Sequence, residues 1–296
     1  MMRIAVLLTT FNRQDKTVAC LQSLKAQKLP KNIGIDVFLT DDASADNTVK
    51  AVKEIYPDSY IFHGSGQLFW AGGMRNSWRE AQKGQYSYYL LLNDDTLLKE
   101  NTVAALLACN DEITKELGKP AVCIGSTQDC STGNISYGGK KLTSGFNLKS
   151  TVVYDQHQYQ SCDLGNGNIM LVPEDIVNAV GILSSAYTHG IADYDYTLKV
   201  KKAGFDVMVA PGILGYCTDD HGQNWKSQST GLKERIKYLK SPKGLAYKEY
   251  LLFIRTHFPL YYPLAFAKLW MKTLLPIFWQ MLKSKEFNNN TFKAHG

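Results

Sequence analysis

The chain has 296 residues, of which 45% are hydrophobic and 20% charged, and its net charge is +6. This composition can build a solvated core for one large domain or two small ones, which excludes an intrinsically disordered protein. The six cysteines are scattered without a C-x-x-C pair, which excludes a zinc knuckle, a thioredoxin-type motif and a small disulfide scaffold.

Charge is distributed unevenly along the chain. Residues 226–296 hold 13 Lys or Arg against 3 Asp or Glu, a net of +10, which leaves −4 for residues 1–225. The apolar run at residues 4–8 is about half as long as the core of a signal peptide. We therefore expect a cytoplasmic protein with two regions that have different partners.

The first hundred residues alternate short apolar runs with amphipathic stretches, which is typical of a parallel sheet with crossover helices. The apolar runs predict strands at residues 3–10, 35–40, 60–62 and 88–92. Amphipathic helices that stop before prolines follow the first two of these strands.

Beyond residue 101 the pattern loosens and Gly-rich segments separate the elements. The clearest are a helix near residues 102–117, a strand at 169–172 and a helix near 193–203. We predict an α/β fold over residues 1–225, with a Rossmann-like, mixed but mostly parallel sheet that is flanked by helices.

Residues 226–296 predict a C-terminal helical extension that is basic, aromatic and interrupted by prolines. Its longest apolar run, residues 258–267, is about half of a membrane span, so we expect it to lie on a bilayer without crossing it. Lysines accompany the aromatic residues, which favours an anionic membrane surface as partner. The alternative is that the same faces pack on the preceding domain or in a homodimer.

Polar residues follow three of the predicted strands. These are residues 9–13, the pair Asp41 and Asp42, and residues 93–95. In an open α/β sheet ligands bind beyond the carboxyl ends of the strands, so these residues should share one site. Adjacent carboxylates repel each other, and a divalent cation with phosphate oxygens in its shell would neutralise them. The alternative for each pair is an ordinary turn that caps the next helix.

The order and spacing of residues 8–13, 40–48 and 92–96 closely resemble the motifs of family 2 glycosyltransferases with the GT-A fold. Residues 70–76 are similar to a Gly/Asn-rich segment of the bacterial rhamnosyltransferase-like branch. A third region also resembles the family, in residues 165–172, 180–181 and 193–204.

The resemblance runs from residue 4 to about residue 221 and implies a nucleotide-binding half, 1–110, and an acceptor half, 111–225. It also implies a nucleotide-sugar donor. Asp42 corresponds to the residue that contacts a uracil or thymine base, and Thr10 and Phe11 correspond to the walls of the base pocket. The other implied donor-site residues are Arg13, Gly73, Asn76 and Asp94.

The resemblance implies a divalent metal, Mg²⁺ or Mn²⁺, held by Asp95, with His221 as a further ligand. Asn93 departs from the carboxylate that usually begins this motif. Asp193 corresponds to the catalytic base, although Ala192 replaces the acidic residue that often precedes it. The implied acceptor-region residues are Asn168, His189 and Trp225.

These features predict a metal-dependent, inverting glycosyltransferase that uses a dTDP- or UDP-sugar, with rhamnose suggested by the resemblance. The expected acceptor is a hydroxyl of a bacterial cell-surface glycan or lipid-linked intermediate, reached from the inner face of the membrane. A nucleotidyltransferase would need a Gly-rich, basic phosphate loop, which residues 9–13 lack. A nucleotide-sugar-binding module without turnover remains an alternative. Nucleic acid is not an expected partner, because acidic strand ends repel phosphates.

Overall fold

The computed structural model describes residues 2–218, 231–277 and 279. The chain divides into two compact units, the first comprising Met1–Ser144 and Leu148–Asp220, the second Gly145–Asn147 and His221–Gly296. The domain boundary that the sequence predicts at residue 225 lies outside the described residues.

The first unit alternates strands and helices in its first half and then becomes richer in strands. Its elements, in chain order, are β1 (Met2–Thr10), α1 (Gln14–Lys25), β2 (Ile33–Asp41), α2 (Thr48–Ile55), β3 (Tyr60–His63), α3 (Phe69–Ala81), β4 (Tyr88–Leu92), β5 (Leu97–Leu98), α4 (Thr102–Leu117), β6 (Ala121–Gln128), β7 (Ile135–Tyr137), β8 (Gly139–Leu142), β9 (Ser150–Val153), β10 (Gln160–Ser161), β11 (Leu164–Gly165), β12 (Ile169–Pro173), α5 (Glu174–Val180), α6 (Ala192–Lys202) and β13 (Asp206–Tyr216).

The main sheet has the strand order β10-β13-β6-β12-β4-β1-β2-β3, with β5 and β7 attached to β13 and β6. The pairs β1–β2, β1–β4, β2–β3 and β6–β13 are parallel, whereas β12 runs antiparallel to both β4 and β6. The strands β11, β8 and β9 form a small second sheet. This mixed, mostly parallel sheet confirms the predicted α/β fold.

The sheet is buried on both faces. Ile4, Val6 and Leu8 of β1 contribute to one hydrophobic layer, together with residues of α1 and α4. Ala5 and Leu7 point the other way and pack with residues of α3 and α6. Successive side chains of a strand alternate between faces, so burial of both faces explains the continuous apolar run at the start of the sequence.

The C-terminal part of the second unit is helical where the structure describes it, which confirms the predicted C-terminal helical extension. Its elements are α7 (Leu232–Lys240), α8 (Tyr247–His257), a 3₁₀ turn η1 (Pro259–Tyr261) and α9 (Tyr262–Leu274). Phe253, Ile254 and Leu269 are buried, whereas Leu260 is 81% exposed. Among the described residues, no helix combines the length and the apolar character that crossing a bilayer requires.

Candidate active site

The carboxyl ends of β1, β2 and β4 meet at one edge of the main sheet. The three strands are parallel neighbours, and the register pairs Thr10 with Asp41 and Leu7 with Leu91. The next helix, α1, begins directly after Arg13. The polar residues that follow these strands in sequence therefore lie along one edge, as their positions predict.

One arginine bridges the two carboxylates beyond β4. Arg13 Nη1 lies 3.3 Å from Asp94 Oδ1 and 2.8 Å from Asp95 Oδ2. Lys16 Nζ lies 3.9 Å from Asp95 Oδ2. The side chains of Asp94 and Asp95 are only 8% and 13% exposed, so these cations offset the charge of two nearly buried carboxylates.

Asp94 has one engaged and one unengaged oxygen. Burial raises the pKa of its carboxyl to about 6, against the opposing effect of Arg13, and the charge of Asp95 adds to the rise. In the described part of the chain its buried Oδ2 has no hydrogen-bond partner. A buried carboxylate oxygen without a partner is an unsatisfied acceptor, which a cation could satisfy.

The residues at this edge fit a divalent cation. Asp94 and Asp95 supply hard oxygen donors, the ligand type that Mg²⁺ and Mn²⁺ prefer. Within residues 2–218 and 231–277, no three His, Cys, Asp or Glu side chains form a complete metal cluster. His221, the further ligand that the sequence suggests, lies outside the described residues. Phosphate oxygens of a bound donor would complete the shell.

A pocket of about 240 Å³ opens beside Asp95. It is lined by Asp15, Lys16, Ala19, Asp95, Leu97 and Thr218. This volume is smaller than that of a typical cofactor site, about 300–1,000 Å³, but it leaves room for an ion and a phosphate group.

The side chain of Asn93 is hydrogen-bonded to a tryptophan, whereas those of Asp94 and Asp95 contact Arg13. Asn93 Oδ1 accepts a 2.7 Å hydrogen bond from Trp70 Nε1, and the backbone N–H of Asn93 donates to the Asn168 carbonyl at 3.2 Å. The ring of Trp70 lies so close to Gly167 that a Cβ there would come within 2.5 Å of it. Asn93 therefore links the end of β4 to α3 and to the segment before β12.

Both carboxylate oxygens of Asp42 accept hydrogen bonds from backbone amides. Its Oδ1 accepts from Gly66 N at 2.7 Å, and its Oδ2 accepts from Leu68 N at 2.9 Å and Phe69 N at 3.1 Å. These amides precede and begin α3, where a carboxylate satisfies free N–H groups. Asp42 thus fixes the loop between β3 and α3.

Asp41 differs from its neighbour. Its Oδ2 accepts from Ser44 N at 3.2 Å, and its buried Oδ1 has no hydrogen-bond partner in the part of the chain that the structure describes. An acceptor of this kind at the edge of a nucleotide site can receive the N–H of a base.

The remaining donor-site candidates have packing contacts. A Cβ on Gly73 would lie 2.0 Å from Thr9 Oγ1, so this glycine lets α3 approach β1. Asn76 Nδ2 donates to Thr40 Oγ1 at 3.2 Å. Thr10 Oγ1 and Thr17 Oγ1 are 2.9 Å apart, and Phe11 is 44% exposed.

Asp193 lies at the start of α6 with its carboxylate held in place. Its Oδ1 accepts from Tyr194 N at 2.8 Å, and its Oδ2 accepts from Gly167 N at 3.1 Å and Asn166 Nδ2 at 3.4 Å. Burial raises the pKa of Asp193, against the effect of these hydrogen bonds. A carboxylate that is oriented and more basic than usual is suited to accept a proton.

The backbone before Asp193 is strained. Ile191 has φ of 71°, in the left-handed region that β-branched residues rarely adopt. Such strain is concentrated at functional sites. Asp195 is buried, and its Oδ1 accepts from the hydroxyl of Tyr187 at 3.4 Å, so it has different contacts from Asp193.

Two of the three acceptor-region candidates lie in the described part of the chain. Asn168 is buried, and its Nδ2 lies 3.6 Å from Cys217 Sγ. The ring of His189 lies 6.3 Å from that of Phe69, at the start of α3. Trp225 lies outside the described residues.

The protein-family model "Glycosyl transferase family 2" matches residues 5–151. The chain carries a family 2 glycosyltransferase domain. The matched segment contains the ends of β1, β2 and β4, and with them Arg13, Asp42 and Asp95. The match establishes the protein as a glycosyltransferase, as the sequence motifs predict.

Solved structures of glycosyltransferases share its fold. The mannosyltransferase PcManGT from Pyrobaculum calidifontis, in complex with GDP-Man and Mn²⁺, has a TM-score of 0.53 at 14% identity, over 95% of this chain and 73% of that one. TarS 1–349 from S. aureus, in complex with UDP, has a TM-score of 0.52 at 15% identity, over 73% of this chain and 60% of that one. The glycosyltransferase spans 44% of a longer TarS structure, with 16% identity and a TM-score of 0.52.

No curated protein matches the sequence. The likeness to the solved structures shows the GT-A fold, as the resemblance of the motifs implies.

Several site residues are not apparent from the sequence of the glycosyltransferase. Lys16 and Cys217 contact Asp95, and Asn166 and Gly167 orient Asp193. The sequence signal for Lys16 is weak: it is a lysine in the first helical turn after a strand-end motif. For Cys217 the only signal is its position directly after a strand.

Proposed function

We propose that this glycosyltransferase transfers a sugar from a dTDP- or UDP-linked donor, with inversion, to a hydroxyl of a bacterial cell-surface glycan or lipid-linked intermediate. The observation that carries the proposal is the acidic pair beyond β4, bridged by Arg13 at the edge where three parallel strands end. Two carboxylates and two cations at this edge suit a metal–diphosphate group.

The donor lies across the ends of β1 and β2 in this proposal. Phe11 and Thr10 flank the base, and Asp41 Oδ1, at the end of β2, accepts the N–H of the base. Arg13 and Lys16 contribute positive charge beside the diphosphate. The similar structures, one in complex with GDP-Man and one with UDP, support a nucleoside diphosphate donor, and rhamnose rests on the sequence resemblance.

Asp95, with Asp94 beside it, would hold a divalent cation. Such a cation neutralises the charge that grows on the leaving diphosphate as the glycosidic bond breaks. The Mn²⁺ in the mannosyltransferase complex supports this assignment. Arg13 bridges both carboxylates in the described structure and would then be free to turn towards the phosphates.

Asp193 acts as the general base. Its carboxylate takes the proton of the acceptor hydroxyl while the acceptor oxygen bonds to the anomeric carbon. The bond between the anomeric carbon and the donor's phosphate oxygen breaks, and its electron pair leaves with the nucleoside diphosphate. Hydrogen bonds from Gly167 and Tyr194 fix the direction of the carboxylate, and burial makes it a better base. Attack opposite the leaving group inverts the anomeric centre.

A thermal-shift screen of nucleotide-sugars with and without Mn²⁺ tests the donor and metal assignments together. We expect one donor to raise the melting temperature of the wild type only with metal, because binding to the native state stabilises it. The Asp95→Ala variant should fold and lose the metal-dependent part of the shift. An equal Mn²⁺-dependent shift in Asp95→Ala would contradict the metal site.

We further propose that the second unit binds the anionic inner face of the cytoplasmic membrane, which would hold the enzyme near a lipid-linked acceptor. Leu260 is 81% exposed, Ile277 61% and Leu275 57%. Residues 226–296 carry a net charge of +10, which complements anionic headgroups. The competing arrangement is a homodimer formed through the same apolar residues.

A further inference from the structure

An arginine in α3 is hydrogen-bonded to a loop that lies 109 to 112 residues further along the chain. Arg75 is half-buried, and its Nη1 donates to the backbone carbonyl of Ser184 at 2.8 Å and to that of Tyr187 at 2.6 Å. The amide of Ala71, in the first turn of α3, donates to the Thr188 carbonyl at 3.0 Å. Three carbonyls of residues 184–188, the 184–188 loop, therefore accept hydrogen bonds from one helix.

The 184–188 loop lies outside the regular elements. Residues 181–191, all of which the structure describes, connect α5 to α6 without forming a helix or strand. Carbonyls in such a connection need donors from elsewhere, and the first turn of a helix has N–H groups without intrahelical partners. A guanidinium carries five N–H donors in a fixed plane, so one arginine can hold two carbonyls at a defined separation.

The loop is joined in turn to the residues around Asp193. Tyr187 is buried, and its hydroxyl donates to Asp195 Oδ1 at 3.4 Å. The amide of Asp195 donates to the Ile191 carbonyl at 2.9 Å, across the first turn of α6. Ile191 has its positive φ of 71° in this turn, a conformation that persists only where the surrounding structure holds it. The bonds from Arg75 thus reach, through Tyr187, the turn that carries Asp193.

The same helix contacts the donor edge of the sheet. The amides of Leu68 and Phe69, where α3 begins, donate to Asp42, and the indole of Trp70 donates to Asn93. A shift of the 184–188 loop along α3 would therefore change the distance between the donor edge and the turn that carries the base.

We propose that Arg75 is a positioning residue for sugar transfer: its bonds to the 184–188 loop set the place of Asp193 relative to the donor edge. The guanidinium contacts neither donor nor acceptor in this role and exchanges no proton. The inference rests on the proposed function, in which Asp193 is the general base. Misplacing a reacting group by about 1 Å can cost about 10²-fold in rate, so a contact that fixes the base affects kcat without touching the substrates.

Arg75→Ala removes both of its bonds to the loop. Donor turnover by the full-length enzyme with Mn²⁺ is measured as released UDP or dTDP, whether the sugar passes to an acceptor hydroxyl or to water. We expect kcat to fall at least about tenfold, while the KM for the donor and the affinity for UDP or dTDP stay within about twofold of the wild type. Arg75→Lys should recover much of the loss, because an ammonium group can donate to at least one of the carbonyls.

A double variant separates positioning of the base from a general loss of structure. If Arg75 acts through Asp193, its removal should cost little in an enzyme that already lacks the base. Arg75→Ala/Asp193→Asn should then have a kcat within about twofold of that of Asp193→Asn. A double variant that loses the full factor of Arg75→Ala would overturn the proposal. So would a wild-type kcat in Arg75→Ala, or a fall in its nucleotide affinity with kcat retained.

Arg79→Ala is the matched control, because Arg79 carries the same charge one turn later on α3 and is exposed. It should keep the wild-type kcat. An equal loss in Arg79→Ala would overturn the assignment to Arg75, since the effect would then come from the charge of the helix. If Arg75→Ala does not fold, Arg75→Met, which keeps an apolar stem and no donor, serves in the same comparisons.

Hydrogen exchange measured by mass spectrometry tests the loop contact without turnover. Peptides that span residues 184–196 should exchange at least about tenfold faster in Arg75→Ala than in the wild type or Arg79→Ala. Unchanged exchange would overturn the proposal. An active wild type whose Arg75→Ala variant keeps its kcat loses only the role of Arg75. A wild type that turns over no donor loses the proposed transfer, and the exchange rates then decide whether Arg75 holds the loop.

Discussion

The indole N–H of Trp70 donates a 2.7 Å hydrogen bond to the side-chain oxygen of Asn93. This contact joins the first turn of α3 to the first residue beyond β4, and it gives Asn93 a role that does not involve the metal. An amide accepts the bond from Trp70 without adding a third negative charge next to Asp94 and Asp95.

A double-mutant cycle measures this contact. Trp70→Phe and Asn93→Ala should each lower the free energy of unfolding, and the double variant should lose about 1 kcal/mol less than the sum, because both single changes remove one hydrogen bond. Urea unfolding of the four proteins gives the coupling energy. A coupling energy near zero would show that the two side chains do not depend on each other.

The carboxylates that end β2 should separate into a structural residue and a binding residue. Asp42→Asn should lower the free energy of unfolding by about 1–3 kcal/mol, because an amide nitrogen cannot accept from the N–H groups of Leu68 and Phe69. Asp41→Asn should instead weaken UDP or dTDP binding by a similar free energy, measured by calorimetry. If Asp42→Asn unfolds like the wild type and binds nucleotide poorly, the roles are reversed.

The sequence is sufficient to predict the elements that are long and buried. Strand β4 and helix α4 match the predicted residues 88–92 and 102–117, because a continuous apolar run and a helical repeat are local signals. The strands between residues 121 and 165 were not predicted: β7 to β11 are only two to four residues long, and β6, although buried along seven of its eight residues, was also missed.

Long-range contacts of the site could not be predicted from local patterns. Asp42 contacts amides 24 to 27 residues away, and Cys217 contacts Asp95 across 122 residues. Both contacts depend on how the strands are ordered in the sheet. The motif at residues 93–95 predicts an acidic site, but its contacts with Arg13 follow from the pairing of β1 with β4, and its contact with Cys217 from the pairing of β5 with β13.

The pH dependence of transfer should report Asp193. The base must be ionised, and burial raises its pKa above the ordinary value for an aspartate, so kcat should fall as the pH is lowered through that raised pKa. Asp193→Asn should lose this acidic limb and about 10²-fold or more of kcat, with nucleotide affinity retained.

Asp195→Asn is the parallel control for Asp193, because Asp195 is a carboxylate on the same helix with a different contact, to Tyr187. It should keep most of its activity and the wild-type acidic limb. An inactive Asp195→Asn beside an active Asp193→Asn would show that Asp193 is not the base.

Membrane binding should depend on the exposed apolar residues of the second unit. In flotation with anionic vesicles, the full-length protein should bind at low salt and detach as salt increases. The double variant Leu260→Asp/Leu275→Asp should bind at least about tenfold more weakly, because two exposed leucines that would insert into the bilayer are replaced by charges.

Val152→Asp controls for a general effect of surface charge, since Val152 is 53% exposed on β9 of the first unit. It should bind vesicles like the wild type. Two results together would favour the homodimer: the wild type does not bind anionic vesicles at low salt, and the protein is a dimer that the Leu260→Asp/Leu275→Asp substitutions dissociate.

Proton NMR of nucleotide-sugar turnover reports inverting transfer and its dependence on Asp95 in one experiment. Each donor is incubated with the full-length enzyme and Mn²⁺, and the anomeric signals of donor and product are followed together with the released nucleoside diphosphate. We expect that one dTDP- or UDP-sugar is consumed, that the first product has the opposite anomeric configuration, and that Asp95→Ala abolishes the reaction. Retention of configuration, or undiminished turnover by Asp95→Ala, would contradict this expectation.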